Sequence, residues 1–148
     1  MKEVMLGLLL WVSQNTGLIY DTQVGLPEVK QVDSRQLAVL LFKGQIPAYL
    51  SPKDLHGMTE HIEALYDPDT KTIFVRNGVD LNSVYGKSAL VHELVHFVQY
   101  QQGINRNVAC TNALEKDAYR AQAAYLRHKG QELKIDGFTI AARSICYS

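Results

Sequence analysis

The stretch Ser83–Gly103 reads SVYGKSALVHELVHFVQYQQG, and its reading decides the fold. Asn82 or Ser83 can cap the exposed N–H groups of a helix start, and Gly103 supplies a left-handed stop after Gln102. Between them Leu90, Val91, Leu94, Val95, Phe97 and Val98 make the helix apolar almost all round, which predicts a central buried helix. Inside that run lie His92, Glu93 and His96, spelling HExxH. Residues four apart share one helix face, so both imidazoles can reach a single ion. Glu93 follows the first histidine and is placed to act as a general base on a metal-activated water. Burying three polar groups together is costly without such an ion.

Two histidines leave a metal short of a third protein ligand. Glu115, in the string Glu115-Lys116-Asp117-Ala118-Tyr119, stands near the start of the next expected helix, and the small Ala118 one turn on allows close helix approach. Asp117 is the alternative ligand. Each carboxylate also has a plain structural role open to it. Asn112-x-x-Glu115 fits a capping box, and Asp117 suits the positive end of a helix. Gln99 and Gln122 fall on the ligand faces of their helices, where either can support a ligand or simply edge the core. Tyr119 can pack in the interior or donate a hydrogen bond at the site.

HExxH followed by a glutamate in an ExxA pattern resembles the gluzincin metallopeptidases, over about residues 60 to 126. Ser88–Gly103 also resembles small bacterial HExxH domains. The resemblance implies Zn2+ held by His92, His96 and Glu115, with Glu93 as the catalytic base. It further implies that the strand Lys71–Arg76 lines a cleft and pairs with an extended peptide. The chain departs from the family pattern at three places: Tyr119 replaces a common aspartate, Leu114 replaces the asparagine of the thermolysin-like string, and His128 is the one histidine after the motif.

Outward from this centre, Met5–Val12 is apolar but too short to span a bilayer and lacks a small-x-small cleavage site, so a buried N-terminal helix ending near Gly17 is expected. Glu28–Val32 reads as a strand. Asp33 and Ser34 cap a helix over Arg35–Phe42, and Gly44–Gly57, with Pro47 and Pro52 as breakers, reads as irregular. Ile62–Tyr66, the turn Asp67-Pro68-Asp69-Thr70 and Lys71–Arg76 form a hairpin. Thr111-Asn112 caps a helix ending at Lys129-Gly130, and Glu132–Ile145 is open between strand, short helix and loop. His56 and His61 read as surface or structural residues.

The chain has 148 residues, 47% of them hydrophobic, and its 15 basic residues balance 15 acidic ones. That composition fits one globular domain over residues 1–148, and the lack of a basic stripe argues against nucleic acid as a partner. Cys110 and Cys146 lie in no CxxC pair, so they are either two thiols or one disulfide. A secreted or periplasmic location is favoured over the cytoplasm; oligomeric state leaves no trace in the sequence. The expectation is therefore an α+β, zincin-like fold: a small antiparallel sheet, a central HExxH helix and a second ligand-bearing helix. The expected activity is zinc-dependent hydrolysis of a peptide or protein substrate. The competing expectation is a catalytically inactive metal-binding structural or interaction domain.

Overall fold

The computed structural model describes residues 1–146, a mixed α+β chain with six α-helices and one three-stranded sheet among them. Its contacts divide it into two compact units, one formed by residues 1–26 with 81 onward, the other by residues 27–80.

The first unit is helical. Helix α1 (Lys2–Thr16) buries Met5, Leu8, Leu9 and Val12 and ends where Gly17 turns left-handed (φ 78°). The i, i+3, i+4, i+7 spacing of those four residues puts them on one stripe. With α4 (Val84–Gln101) and α5 (Glu115–His128), α1 forms the packed core of this unit, and Trp11 meets Tyr125 edge to face at 5.3 Å between ring centroids. Ser83 caps α4 by accepting from the Gly86 N–H, and Gly103 stops it at φ 73°. Every residue from Ser88 to Gln99 is buried. The expectation for this helix holds to within a residue at each end.

The second unit carries the sheet, in the order β1 (Glu28–Val32), β3 (Thr72–Arg76), β2 (Ala64–Asp67). The central strand β3 buries Thr72, Ile73 and Val75, while β1 is mostly exposed and carries the Glu28–Lys30 pair at 3.4 Å. The sheet is mixed, which corrects the antiparallel expectation: β2 pairs antiparallel with β3, but β1 pairs parallel. A hairpin turn enforces the first pairing. The second follows from the long connection between β1 and β3, which contains α2 (Ser34–Leu41), α3 (Pro52–Thr59) and β2 and so lets the chain return in the same direction.

Helix α2 starts with a full capping box between Asp33 and Gln36. Helix α3 was expected to be irregular because of its proline. Pro52 in fact opens the helix, behind a second capping box made by Ser51 and Asp54. At that position the missing N–H has no partner to lose.

One further correction and one open choice concern the end of the first unit. Thr111–Leu114 forms a 3-10 turn that runs directly into α5 without a side-chain cap. Of the three options for the last segment, a short helix forms, α6 (Gly137–Ser144), capped by Asp136. It buries no residue fully. It is held by the Cys110–Cys146 disulfide, by Asn112 Nδ2 donating to the Ile145 carbonyl at 3.1 Å, and by Arg143 donating to the Tyr119 hydroxyl at 2.7 Å. No helix among the described residues is long and apolar enough to cross a membrane.

A helix this short is marginal on its own, so the cross-link carries it. The double variant Cys110→Ser/Cys146→Ser is expected to lose about 2–4 kcal/mol of unfolding free energy, measured by denaturant titration. Backbone amides of α6 should also lose hydrogen-exchange protection before those of α4. Unchanged protection in α6 would show that packing alone holds it.

Candidate metal centre

The apolar surface of α4 fixes which way its polar residues face. With the helix buried on nearly all sides, His92, Glu93 and His96 are carried into the interior, at 7%, 6% and 8% exposure. Helix α5 packs against α4 more extensively than any other pair of elements. Small residues allow this approach, since Ala118 and Ala121 are buried on α5. The first residue of that helix is Glu115.

His92, His96 and Glu115 each offer one ligand atom, and the three atoms lie within 4.8 Å of one another. Glu115 grips both histidines: its Oε1 is 2.7 Å from His96 Nε2, and its Oε2 is 3.1 Å from His92 Nε2. Donors sharing one tetrahedral ion at about 2.0–2.1 Å stand roughly 3.3–3.4 Å apart, so a small outward shift would accommodate an ion. Two imidazole nitrogens and one carboxylate form a donor set suited to a divalent transition metal and leave a coordination position open. Glu93 Oε1 lies 4.0 Å from His92 Nε2, adjacent to the cluster. The Glu115 side chain keeps 27% of its surface exposed, against 8% and 10% for the histidines, so solvent reaches the cluster on the Glu115 side.

The electrostatics of the three residues follow from their contacts. Burial would lower the pKa of His96, but the hydrogen bond to Glu115 and the charges of Glu93 and Glu115 outweigh it and raise the value to about 9. Burial would raise the Glu115 carboxyl, but its hydrogen bonds to His92 and His96 hold it well below the ordinary carboxylate range. Glu115 therefore stays ionised and gathers positive charge, a proton or a metal ion, against the two imidazoles.

The far side of each ring is also held. His92 Nδ1 is 3.0 Å from Gln122 Oε1, and His96 Nδ1 is 2.8 Å from Gln99 Oε1. The Tyr119 ring meets His92 at 4.5 Å between centroids, nearly perpendicular. Burial raises the pKa of its hydroxyl, which accepts a hydrogen bond from Arg143.

The structure brings together His92, Glu93, His96 and Glu115 as the sequence suggests. Asp117, the alternative ligand, points to solvent with Arg120 at 3.7 Å and takes no part. The capping box of Asn112 and Glu115 does not form. The Asn112 side chain bonds to Ile145 instead, which leaves Glu115 to the histidines. Gln99 and Gln122, whose role the sequence left undecided, each set an amide oxygen against a histidine Nδ1. His56 and His61 lie on the surface near Glu60, at 68% and 79% side-chain exposure, and His128 is exposed at the far end of α5. The residue that sequence reasoning did not pick out is Ser88, which accepts from Gln122 Nε2 at 3.2 Å. Its place one helical turn before His92 was the available signal.

Over residues 1–148 the chain matches the model of a domain of unknown function, DUF6647, and it belongs to that family. No curated protein and no solved structure matches it.

If these three residues form one centre, His96→Ala and Glu115→Ala should each weaken cobalt(II) binding by more than the about 10–100-fold typical of supporting residues. Asp117→Ala should bind as the wild type does. Competition against a chromophoric chelator measures all four proteins. Equal affinity for wild type and Glu115→Ala would remove Glu115 from the ligand set.

Proposed function

We propose that this member of the DUF6647 family is a zinc-dependent hydrolase of peptide bonds, with the helix pair α4 and α5 as a zincin-like core of gluzincin type. One observation carries the reading. The buried carboxylate of Glu93 lies 4.0 Å from a nitrogen of the His92, His96 and Glu115 cluster, on the helix that supplies two of the three ligands. His92 Nε2, His96 Nε2 and a Glu115 oxygen would hold the ion. When bound, zinc acidifies water and polarises a carbonyl.

The protein's own groups do the rest. Glu93 removes a proton from the attacking water and passes it to the leaving amine, so one carboxylate serves as base and then as acid. Its neighbours keep it poised. Only 6% of Glu93 is exposed, and the exclusion of bulk water strengthens its interaction with the reacting atoms. Glu115 holds the two imidazoles together and leaves the solvent-facing side as the route by which an extended substrate approaches.

The Cys110–Cys146 disulfide supports action in an oxidising compartment, such as outside the cell or in a periplasm. The substrate that fits this reading is a peptide or unfolded protein segment able to present one carbonyl at the open side of the centre.

Glu93→Gln separates this reading from that of an inactive metal-binding domain, because it keeps the shape and removes the base. The expected result is zinc affinity within about threefold of wild type, with hydrolysis of a quenched fluorescent peptide library reduced about 10²–10⁴-fold. Wild-type and variant proteins with the same background rate of hydrolysis would favour the inactive domain.

A further inference from the structure

We infer that Gln99 and Gln122 are positioning residues of the metal centre: two buried, uncharged relays that fix the tautomer of each histidine and turn both Nε2 lone pairs toward the ion. The inference rests on the reading of His92, His96 and Glu115 as ligands.

The direction of each relay is set at its far end. The Ser88 hydroxyl donates its single proton to the Tyr85 carbonyl at 2.6 Å. Its oxygen can then only accept, and it accepts from Gln122 Nε2. That orients the Gln122 amide, whose oxygen must face His92, so His92 Nδ1 must carry a proton and donate it. The second relay is shorter. Gln99 Nε2 donates to the Leu114 carbonyl at 3.2 Å, which turns Gln99 Oε1 toward His96 and makes His96 Nδ1 a donor. A backbone carbonyl has no proton to give, so neither chain can run in reverse. Gln99 is 1% exposed, Gln122 4% and Ser88 0%, which leaves no room for water to take over these bonds.

The two relays also cross between the helices in opposite senses. Gln99 sits on α4 and binds the carbonyl just before α5, on the residue that precedes Glu115. Gln122 sits on α5 and reaches His92 and Ser88 on α4. One glutamine thus aims a histidine and anchors the peptide that delivers the third ligand. The other ties the second histidine to the helix that starts with that ligand. Because both relays are amides, neither adds negative charge behind a ligand, as a carboxylate there would.

The test uses the full chain, zinc and a chromophoric chelator. Gln99→Leu and Gln122→Leu keep the volume and remove the relay, while Gln99→Glu and Gln122→Glu keep an acceptor for Nδ1. We expect each Leu variant to bind zinc about 10–100-fold more weakly, and each Glu variant to regain most of that loss. Nitrogen-15 spectra of the zinc-loaded wild type should show both imidazoles protonated at Nδ1. Leu variants that bind zinc as tightly as wild type would overturn the inference, as would Leu and Glu variants equally impaired at both positions. If the wild type binds no zinc, the metal-centre reading itself fails. If the wild type binds zinc and His96→Ala does not, normal affinity in the Leu variants sinks the relays alone.

Discussion

The cost of burying polar groups on an apolar helix governs this structure. Helix α4 carries His92, Glu93 and His96 through the same stretch that holds Leu90, Val91, Leu94, Val95, Phe97 and Val98. Each polar group needs a partner in a place where water does not reach. The surroundings are arranged to provide them. Helix α5 begins with Glu115 at the histidines and places Gln122 two turns on, behind His92. Helix α4 supplies Gln99 itself, one turn after His96. The alanines of α5 let the helices come close enough for these bonds to form.

A second layer of constraint lies upstream of Glu115. The segment that leads into α5 has no capping side chain, so the helix start alone does not define it. It is defined from both sides instead: the Leu114 carbonyl is held by Gln99, and Cys110 and Asn112 are tied to Cys146 and Ile145. Arg143, brought close by that tie, bonds to the Tyr119 hydroxyl, and the Tyr119 ring packs on His92. The Cys110–Cys146 link is thus only a few contacts from the His92, His96 and Glu115 cluster.

Much of this was legible in the sequence wherever one strong local signal acted alone. The apolar run, the Ser83 cap and Gly103 placed α4, and HExxH placed two of the three clustered residues. The same held for α1, β1 and α2. Reading failed where one residue type has two meanings. Pro52 breaks a helix in its middle but starts one at its first turn, and the capping box of Ser51 and Asp54 would have told the two apart. Asn112 was in the right position to cap, but a distant carbonyl claimed its side chain. The parallel pairing of β1 with β3 depends on a long-range arrangement that no local pattern records. Gln99 and Gln122 had the right spacing, but glutamine has no strong preference between core edge and ligand support. Their second partners, a backbone carbonyl and a serine, come from distant parts of the sequence.

The unequal exposure of the three clustered residues would bear on the exchange kinetics of a bound ion. Both histidines are enclosed and braced from behind, whereas the Glu115 side chain is more than a quarter exposed and bonds to the two imidazoles themselves. An ion would therefore come and go on the carboxylate side, with Glu115 the first ligand to release and the last to close. Capture and loss would then be timed by the swing of one short side chain at a helix terminus, while the imidazole pair stays fixed as a template.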